Sequence, residues 1–180
     1  MNTSNITLSE ATPEDAEMVF KAIHAHRDDL RIWLPFVDQL KTVEDERMFL
    51  TSICEMPEKT RNTVYIIKVE DNFAGLVGYV NSDFVNHRTE IGYWLLPEFR
   101  GKGVMTYCVK YVCRIAVNER GMHRIQIRCA TENIPSNHIP LRLGFELEGT
   151  ERDGELLTGN RYTDINIYSI LEEDVRNWSE

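Results

Sequence analysis

No run in the 180-residue sequence approaches the roughly eighteen consecutive apolar residues that a membrane-spanning helix needs. A basic start followed by a short apolar stretch, the mark of a secretory signal, is missing too. A soluble, cytoplasmic protein with no membrane partner is the expectation. Cysteine is sparse: Cys54, Cys108, Cys113 and Cys129 show no C-x-x-C spacing, and Cys108 and Cys113 lie five apart, too poorly aligned to share a metal. They are expected to be reduced, buried small hydrophobes. His24 and His26 are two apart, and His123 and His138 lack partners at ligand spacing, so no metal is expected. Positive charge is also scarce. With 20 Lys and Arg against 29 Asp and Glu, the net charge of −9 argues against nucleic acid or anionic lipid as a partner and favours a cationic one. Repeats, low-complexity tracts and linkers are absent, and 42% apolar with 27% charged residues suits one domain spanning residues 1–180.

Periodicity and punctuation then give an order of elements. A strand over about Ile6 to Glu10 precedes a helix opened by Thr12-Pro13, a loop around Trp33, and a helix from near Thr42 to near Pro57. Thr42 with Asp45 three residues later reads as a cap. Strands at Val64 to Glu70, Leu76 to Asn81 and Thr89 to Leu95 are separated by Asp71-Asn72 and Asn86-His87, which predicts antiparallel hairpins. The order then changes. A helix from Gly103 to about Arg120 closes at Gly121, a strand covers Arg124 to Ala130, a short helix precedes Gly144, and strands at Phe145 to Thr150 and Thr163 to Ile170 finish the sheet. Strand, helix, strand in succession favours a parallel pair across the middle.

The junction from Glu90 to Thr106 joins an apolar strand to a glycine-bearing turn that opens into a helix. Unpartnered N–H groups and about half a positive charge gather at a helix start, so a phosphate can be held there without basic side chains, while a plain strand-turn-helix connection uses glycine as well. Neither of two common phosphate loops fits. G-x-G-x-x-G fails because its third glycine falls on Thr106, and the P-loop fails because Lys102 is followed by Gly103. What remains, Arg100-x-x-Gly103-x-Met105, resembles the Q/R-x-x-G-x-G/A pyrophosphate loop of the GCN5-related N-acetyltransferases, with Met105 where that family has a small residue.

The resemblance extends from Leu8 to about Tyr168. Leu30-Arg31-Ile32-Trp33-Leu34-Pro35-Phe36, Gly75-Leu76-Val77-Gly78 and Arg124 to Cys129 are similar to segments of the branch that acetylates ribosomal-protein N-termini. So are Asn133-x-x-Ser136, Leu143-Gly144-Phe145 and Glu148-Gly149. The resemblance implies an α/β fold with a mixed, mostly antiparallel sheet of about seven strands, a splayed parallel pair and about four helices. It also implies a homo-oligomer, a dimer or larger.

The resemblance further implies acetyl-CoA as cosubstrate, its pyrophosphate on Arg100, Gly101, Lys102, Gly103, Val104, Met105 and Thr106, and its pantetheine along Tyr93, Trp94, Leu95 and Asn133. Ser136 would face the CoA sulfur, and Glu155, in an Arg152-to-Glu155 loop, would be the base. Read without the resemblance, Ser136 is N-terminal chemistry for the following helix, Glu155 is a solvated loop carboxylate, and Lys102 a solvated cation. Pro140 is expected to remove a bond from that helix and kink it. Trp33 and Phe36, flanking Pro35, either wall a substrate cleft or pack on the core. The acceptor implied is a protein N-terminal α-amine. Alternatives are a polyamine, amino acid or aminoglycoside acceptor, or a noncatalytic acyl-CoA-binding module, which would need the phosphate turn and neither Ser136 nor Glu155.

Overall fold

The computed structural model describes residues 5–178. Its strands are β1 (Ile6–Glu10), β2 (Val64–Val69), β3 (Asn72–Asp83), β4 (Arg88–Leu95), β5 (Arg124–Ala130), β6 (Glu146–Leu157) and β7 (Arg161–Leu171). They form one sheet in the order β1-β2-β3-β4-β5-β7-β6, in which every neighbouring pair is antiparallel except β4 and β5. The β2–β3 hairpin turns on Glu70 and Asp71, whose φ of 50° and 65° give the left-handed twist that a two-residue loop requires. That places the turn one residue before the expected Asp71-Asn72. Among the described residues there are six α-helices where about four were expected: α1 (Ala16–Ala25), α2 (Arg27–Leu30), α3 (Val43–Cys54), α4 (Val104–Asn118), α5 (Ile134–Arg142) and α6 (Glu172–Arg176). The surplus is short, since α2 and α6 hold four and five residues, below the length that periodicity detects.

Alternation along the strands divides the core in two. Ile91 and Leu95 of β4, Ile125, Ile127 and Cys129 of β5, and Tyr168 and Ile170 of β7 meet the buried stripe of α4, which includes Val104, Met105, Cys108, Val109, Val112 and Cys113. On the opposite face, Ile66, Leu76 and Trp94 pack with Val19 and Ile23 of α1 and Leu50 of α3. Gln126 and Arg128, which alternate with the core residues of β5, face this second side. The cysteines are free; burial pushes the Cys108 thiol up to about 12 and Cys113 higher still. Cys54 differs from expectation in being half-buried, its thiol 3.7 Å from the Ala11 carbonyl.

Thr42 caps α3 as its spacing predicts, accepting the Asp45 N–H while the Asp45 carboxylate accepts the Thr42 N–H. The buried face of that helix carries Glu46 beside Leu50, and the Glu46 Oε1 has no hydrogen-bond partner. Burial raises its pKa from 4.5 to about 7. The folded state therefore keeps a proton that the unfolded chain releases near 4.5, and stability is lost as pH rises through that interval. The loss is on the order of 3 kcal/mol above pH 7. Glu46→Gln should remove it: urea midpoints of wild type and variant should agree at pH ~4, below the unfolded pKa, and diverge by pH ~8, with the variant the more stable. Parallel midpoints at both pH values would contradict this.

Candidate active site

The parallel pair is short. Arg88, Thr89 and Glu90 pair with Arg124, Ile125 and Gln126, after which β4 continues against β3 alone and β5 against β7 alone. The two strands splay into a V whose vertex is the Glu90–Gln126 rung. The inner edge of β4 past that rung is left without a strand partner, so its backbone is available to a ligand.

A cavity of about 460 Å³ occupies this opening. Tyr93, Trp94 and Leu95 line it from β4, Arg100, Gly101, Gly103, Val104, Met105 and Thr106 from the turn and α4, and Asn133 and Ser136 from α5. Trp33 closes one side, and His138, Ile139 and Arg142 of α5 another. Lys102 and Phe36 do not line it, and Phe36 remains 44% exposed.

Gly103 is the N-cap of α4, at φ 78° with no side-chain cap, and the first turn of the helix contains no acidic residue. A side chain at this φ is strained, and a Cβ built there meets nothing within 4 Å, so it would project into open space. Free N–H groups, a helix dipole and apolar walls from Leu95 and Met105 suit a pyrophosphate bearing a pantetheine arm. Met105, the departure from the family loop, is only 6% exposed and completes the α4 core. Arg100 serves as a strut: Nε donates to the Leu95 carbonyl at 3.0 Å, while Nη1 and Nη2 grip the Asp29 carboxylate of α2 at 3.0 and 2.5 Å. Three of its five donors are thereby used.

Gly103→Val should weaken acetyl-CoA binding at least tenfold, about 1.4 kcal/mol, because a branched side chain would stand where phosphate approaches backbone. Calorimetry on the folded variant checks this, and an unchanged affinity would remove the pyrophosphate assignment.

At the other arm of the V, Asn133 caps α5 by accepting the Ser136 N–H at 3.4 Å, which leaves the Ser136 hydroxyl free of capping. That hydroxyl lies 3.2 Å from the Cys129 thiol and 3.3 Å from the Tyr93 hydroxyl. Burial raises both the Cys129 and the Tyr93 pKa, so all three groups are neutral near pH 7. Pro140 removes a helical bond, as expected, and α5 continues past it to Arg142. Lacking an N–H, it leaves the Ser136 carbonyl four residues earlier without a helical partner, and the Tyr93 hydroxyl donates to that carbonyl at 3.1 Å. Asn137 supports the same turn, donating to the Ala130 and Asn133 carbonyls at 2.8 Å while Asn166 and Tyr168 donate to its oxygen.

Glu155 is not in a loop. It stands on β6 opposite Thr163 of β7, just past a bulge in which Arg152, Asp153 and Gly154 face Asp164 alone. It does not line the cavity. Desolvation raises its pKa and Arg128 opposes the rise. Sequence reasoning missed Glu90, whose pKa is also raised by burial and lowered by Arg128, with hydrogen bonds to Asn81 and Gln126 and repulsion from Glu155. It missed Asp29 as well, since nothing local to either residue shows which strands or loops meet it. The segment around Trp33 is tied to the β6–β7 turn: the Arg161 guanidinium lies 5.4 Å from the Trp33 ring centre, and Thr158 donates to Asp38 at 2.7 Å.

Residues 5–146 match the model of the acetyltransferase (GNAT) domain. The chain belongs to this family. It is an N-acetyltransferase that takes its acyl group from acetyl-CoA. YdaF of Bacillus subtilis (strain 168) is 30% identical over 176 residues, covering 94% of this chain and 93% of that protein. The ribosomal-protein-serine acetyltransferase of Escherichia coli (strain K12) is 28% identical over 137 residues, 76% of this chain and 74% of that enzyme. Among solved structures, the microcin C7 self-immunity acetyltransferase MccE, in complex with acetyl-CoA and AMP, superposes with a TM-score of 0.84 at 28% identity, covering 93% of this chain and 92% of that one. No helix among the described residues is long and apolar enough to cross a membrane, and no group of metal-ligating side chains is assembled there.

Proposed function

We propose that this acetyltransferase modifies the N-terminal α-amine of a protein, with a ribosomal protein as the favoured class of acceptor. The observation that carries the reading is the placement of two carboxylates beside the splayed strands, Glu90, which is half-buried, and Glu155, which is exposed to solvent yet partly screened from it, so that both pKa values are raised. An α-amine titrates near 7.7–8.0 and is roughly one-tenth neutral at pH 7, so a carboxylate of modestly raised pKa suffices to take its proton. A lysine near 10.4 would cost on the order of 4 kcal/mol to deprotonate. The name of the Escherichia coli relative, a ribosomal-protein-serine acetyltransferase, agrees with an α-amine acceptor.

Acetyl-CoA lies with its pyrophosphate on the first turn of α4 and its pantetheine against the unpaired edge of β4. A backbone N–H of that edge donates to the thioester oxygen as negative charge develops there. The neutral amine attacks the carbonyl carbon, the C–S bond breaks, and the Ser136 hydroxyl hydrogen-bonds the departing thiolate. Glu155, directly or through a water, accepts the proton that the amine gives up. Both substrates are present together, and the enzyme is never acylated. Trp33 walls the acceptor entrance. The assembly is a homo-oligomer.

A second reading, a small-molecule amine as acceptor, is favoured by the likeness to MccE, whose structure holds AMP beside acetyl-CoA. An acceptor screen with acetyl-CoA separates the two. Peptides with a free N-terminal serine or alanine should be turned over at least tenfold faster than polyamines, amino acids or aminoglycosides. The reverse order would replace the first reading with the second.

A further inference from the structure

Arg128 takes no part in the reaction as described above, yet it contacts the strand that carries Glu155. It projects from β5 on the face opposite α4, past the vertex of the V. Its Nη2 bridges to the Glu151 carboxylate at 2.8 Å and reaches the Gly154 carbonyl at 3.5 Å. Glu151 and Gly154 bound the β6 bulge that delivers Glu155. The bulge is held from other sides as well. Asp153, at φ 50°, donates its N–H to Asp164 at 2.9 Å, and a Cβ on Gly154 would come within 3.1 Å of Glu151 and 3.0 Å of Ile165.

We propose that Arg128 is a positioning residue for acetyl transfer: by pinning the Glu151–Gly154 bulge to β5 it fixes where Glu155 stands, and it sets one guanidinium among the carboxylates that receive an ammonium-bearing acceptor. This rests on the reading of Glu155 as proton acceptor. Arg128 from β5 and Glu90 from β4 act electrostatically on Glu155, and Glu151 of the same strand is bridged to Arg128. From β7, Glu155 is paired with the neutral Thr163, and the Asp164 carboxylate stands against the bulge, accepting the Asp153 N–H. Three carboxylates around one guanidinium carry a net charge of −2 when ionised, which attracts an ammonium. Without Arg128 the same carboxylates would repel one another and hold protons.

The first readout of the test is acceptor-independent. In protein labelled with ¹³C at glutamate, the δ-carboxyl signals of Glu90 and Glu155 are followed against pH. In Arg128→Gln both midpoints should rise by about one pH unit. Arg128→Lys, which keeps the charge but not the planar fork, should rise by less than half as much. Glu151→Gln frees the guanidinium from its bridge and removes a negative neighbour, so the Glu155 midpoint should fall, and this opposite sign serves if Arg128→Gln does not fold. The acid limb of kcat/KM on an N-terminal serine peptide should move with the Glu155 midpoint while the acetyl-CoA Kd stays constant. Unmoved midpoints in folded Arg128→Gln and Glu151→Gln would overturn the inference. Midpoints that move without the acid limb would leave Arg128 in control of the carboxylates and remove Glu155 from catalysis.

Discussion

Glu155→Gln should lower turnover on an α-amine peptide by about 10²–10⁴ at pH 6.5, leaving acetyl-CoA affinity nearly unchanged. Glutamine keeps the size of the side chain and its place on β6 but has no basicity. The size of the loss follows from the role proposed for the residue, since an amine that is mostly protonated must surrender its proton for transfer to proceed. In the wild type, the rate should fall with acidity through the Glu155 pKa, which desolvation raises above the ordinary carboxylate value. In the variant that limb disappears, and the rate follows the amine's own titration near 7.7–8.0, recovering partly as pH passes it. The full pH profile of kcat/KM for both proteins is the measurement. Wild-type turnover of Glu155→Gln at pH 6.5 would assign proton removal to water or to Glu90.

The second large effect belongs to Ser136→Ala, expected to reduce kcat ten- to a thousandfold with little change in acetyl-CoA Kd. The hydroxyl is directed at the thiol of Cys129 and the hydroxyl of Tyr93, inside the wall of the cavity. Helix capping is carried by the Asn133 side chain through the Ser136 backbone N–H, which alanine retains. The thermal midpoint should therefore change only by the loss of one side-chain hydrogen bond, on the order of 1 kcal/mol. A variant that lost stability but kept its turnover would make Ser136 a structural residue. A pre-steady-state burst of free thiol, absent in the wild type, would show that a step other than leaving-group departure had become limiting.

Features decided within one helix or one turn were readable from the chain. The Thr42–Asp45 cap, the buried stripe from Val104 to Val117 and the left-handed Gly121 after α4 depend on neighbours in sequence, and the structure has all three. The parallel pair was readable for the same reason, because a strand, a long helix and a strand admit few connections. Glu155 shows where this ends. Arg152 to Glu155 has loop composition, but register across β6 and β7 makes it a bulged strand, and register belongs to two segments at once. Glu90 was hidden because its importance is topological: it is the last rung before β4 and β5 part. Pro140 is legible only in part: its missing N–H predicts the lost helical bond, whereas the partner that takes the freed Ser136 carbonyl, Tyr93, comes from another element.

The central claim, direct transfer from acetyl-CoA to an N-terminal α-amine, is tested by mass spectrometry with [¹³C]acetyl-CoA. The enzyme is first incubated with the labelled thioester alone and then with a peptide that carries both a free N-terminal serine and an internal lysine. The account predicts an enzyme of unchanged intact mass in the first step and one labelled acetyl group on the α-nitrogen of the peptide in the second. An acetylated enzyme, or label on the lysine with the α-amine left free, would contradict it.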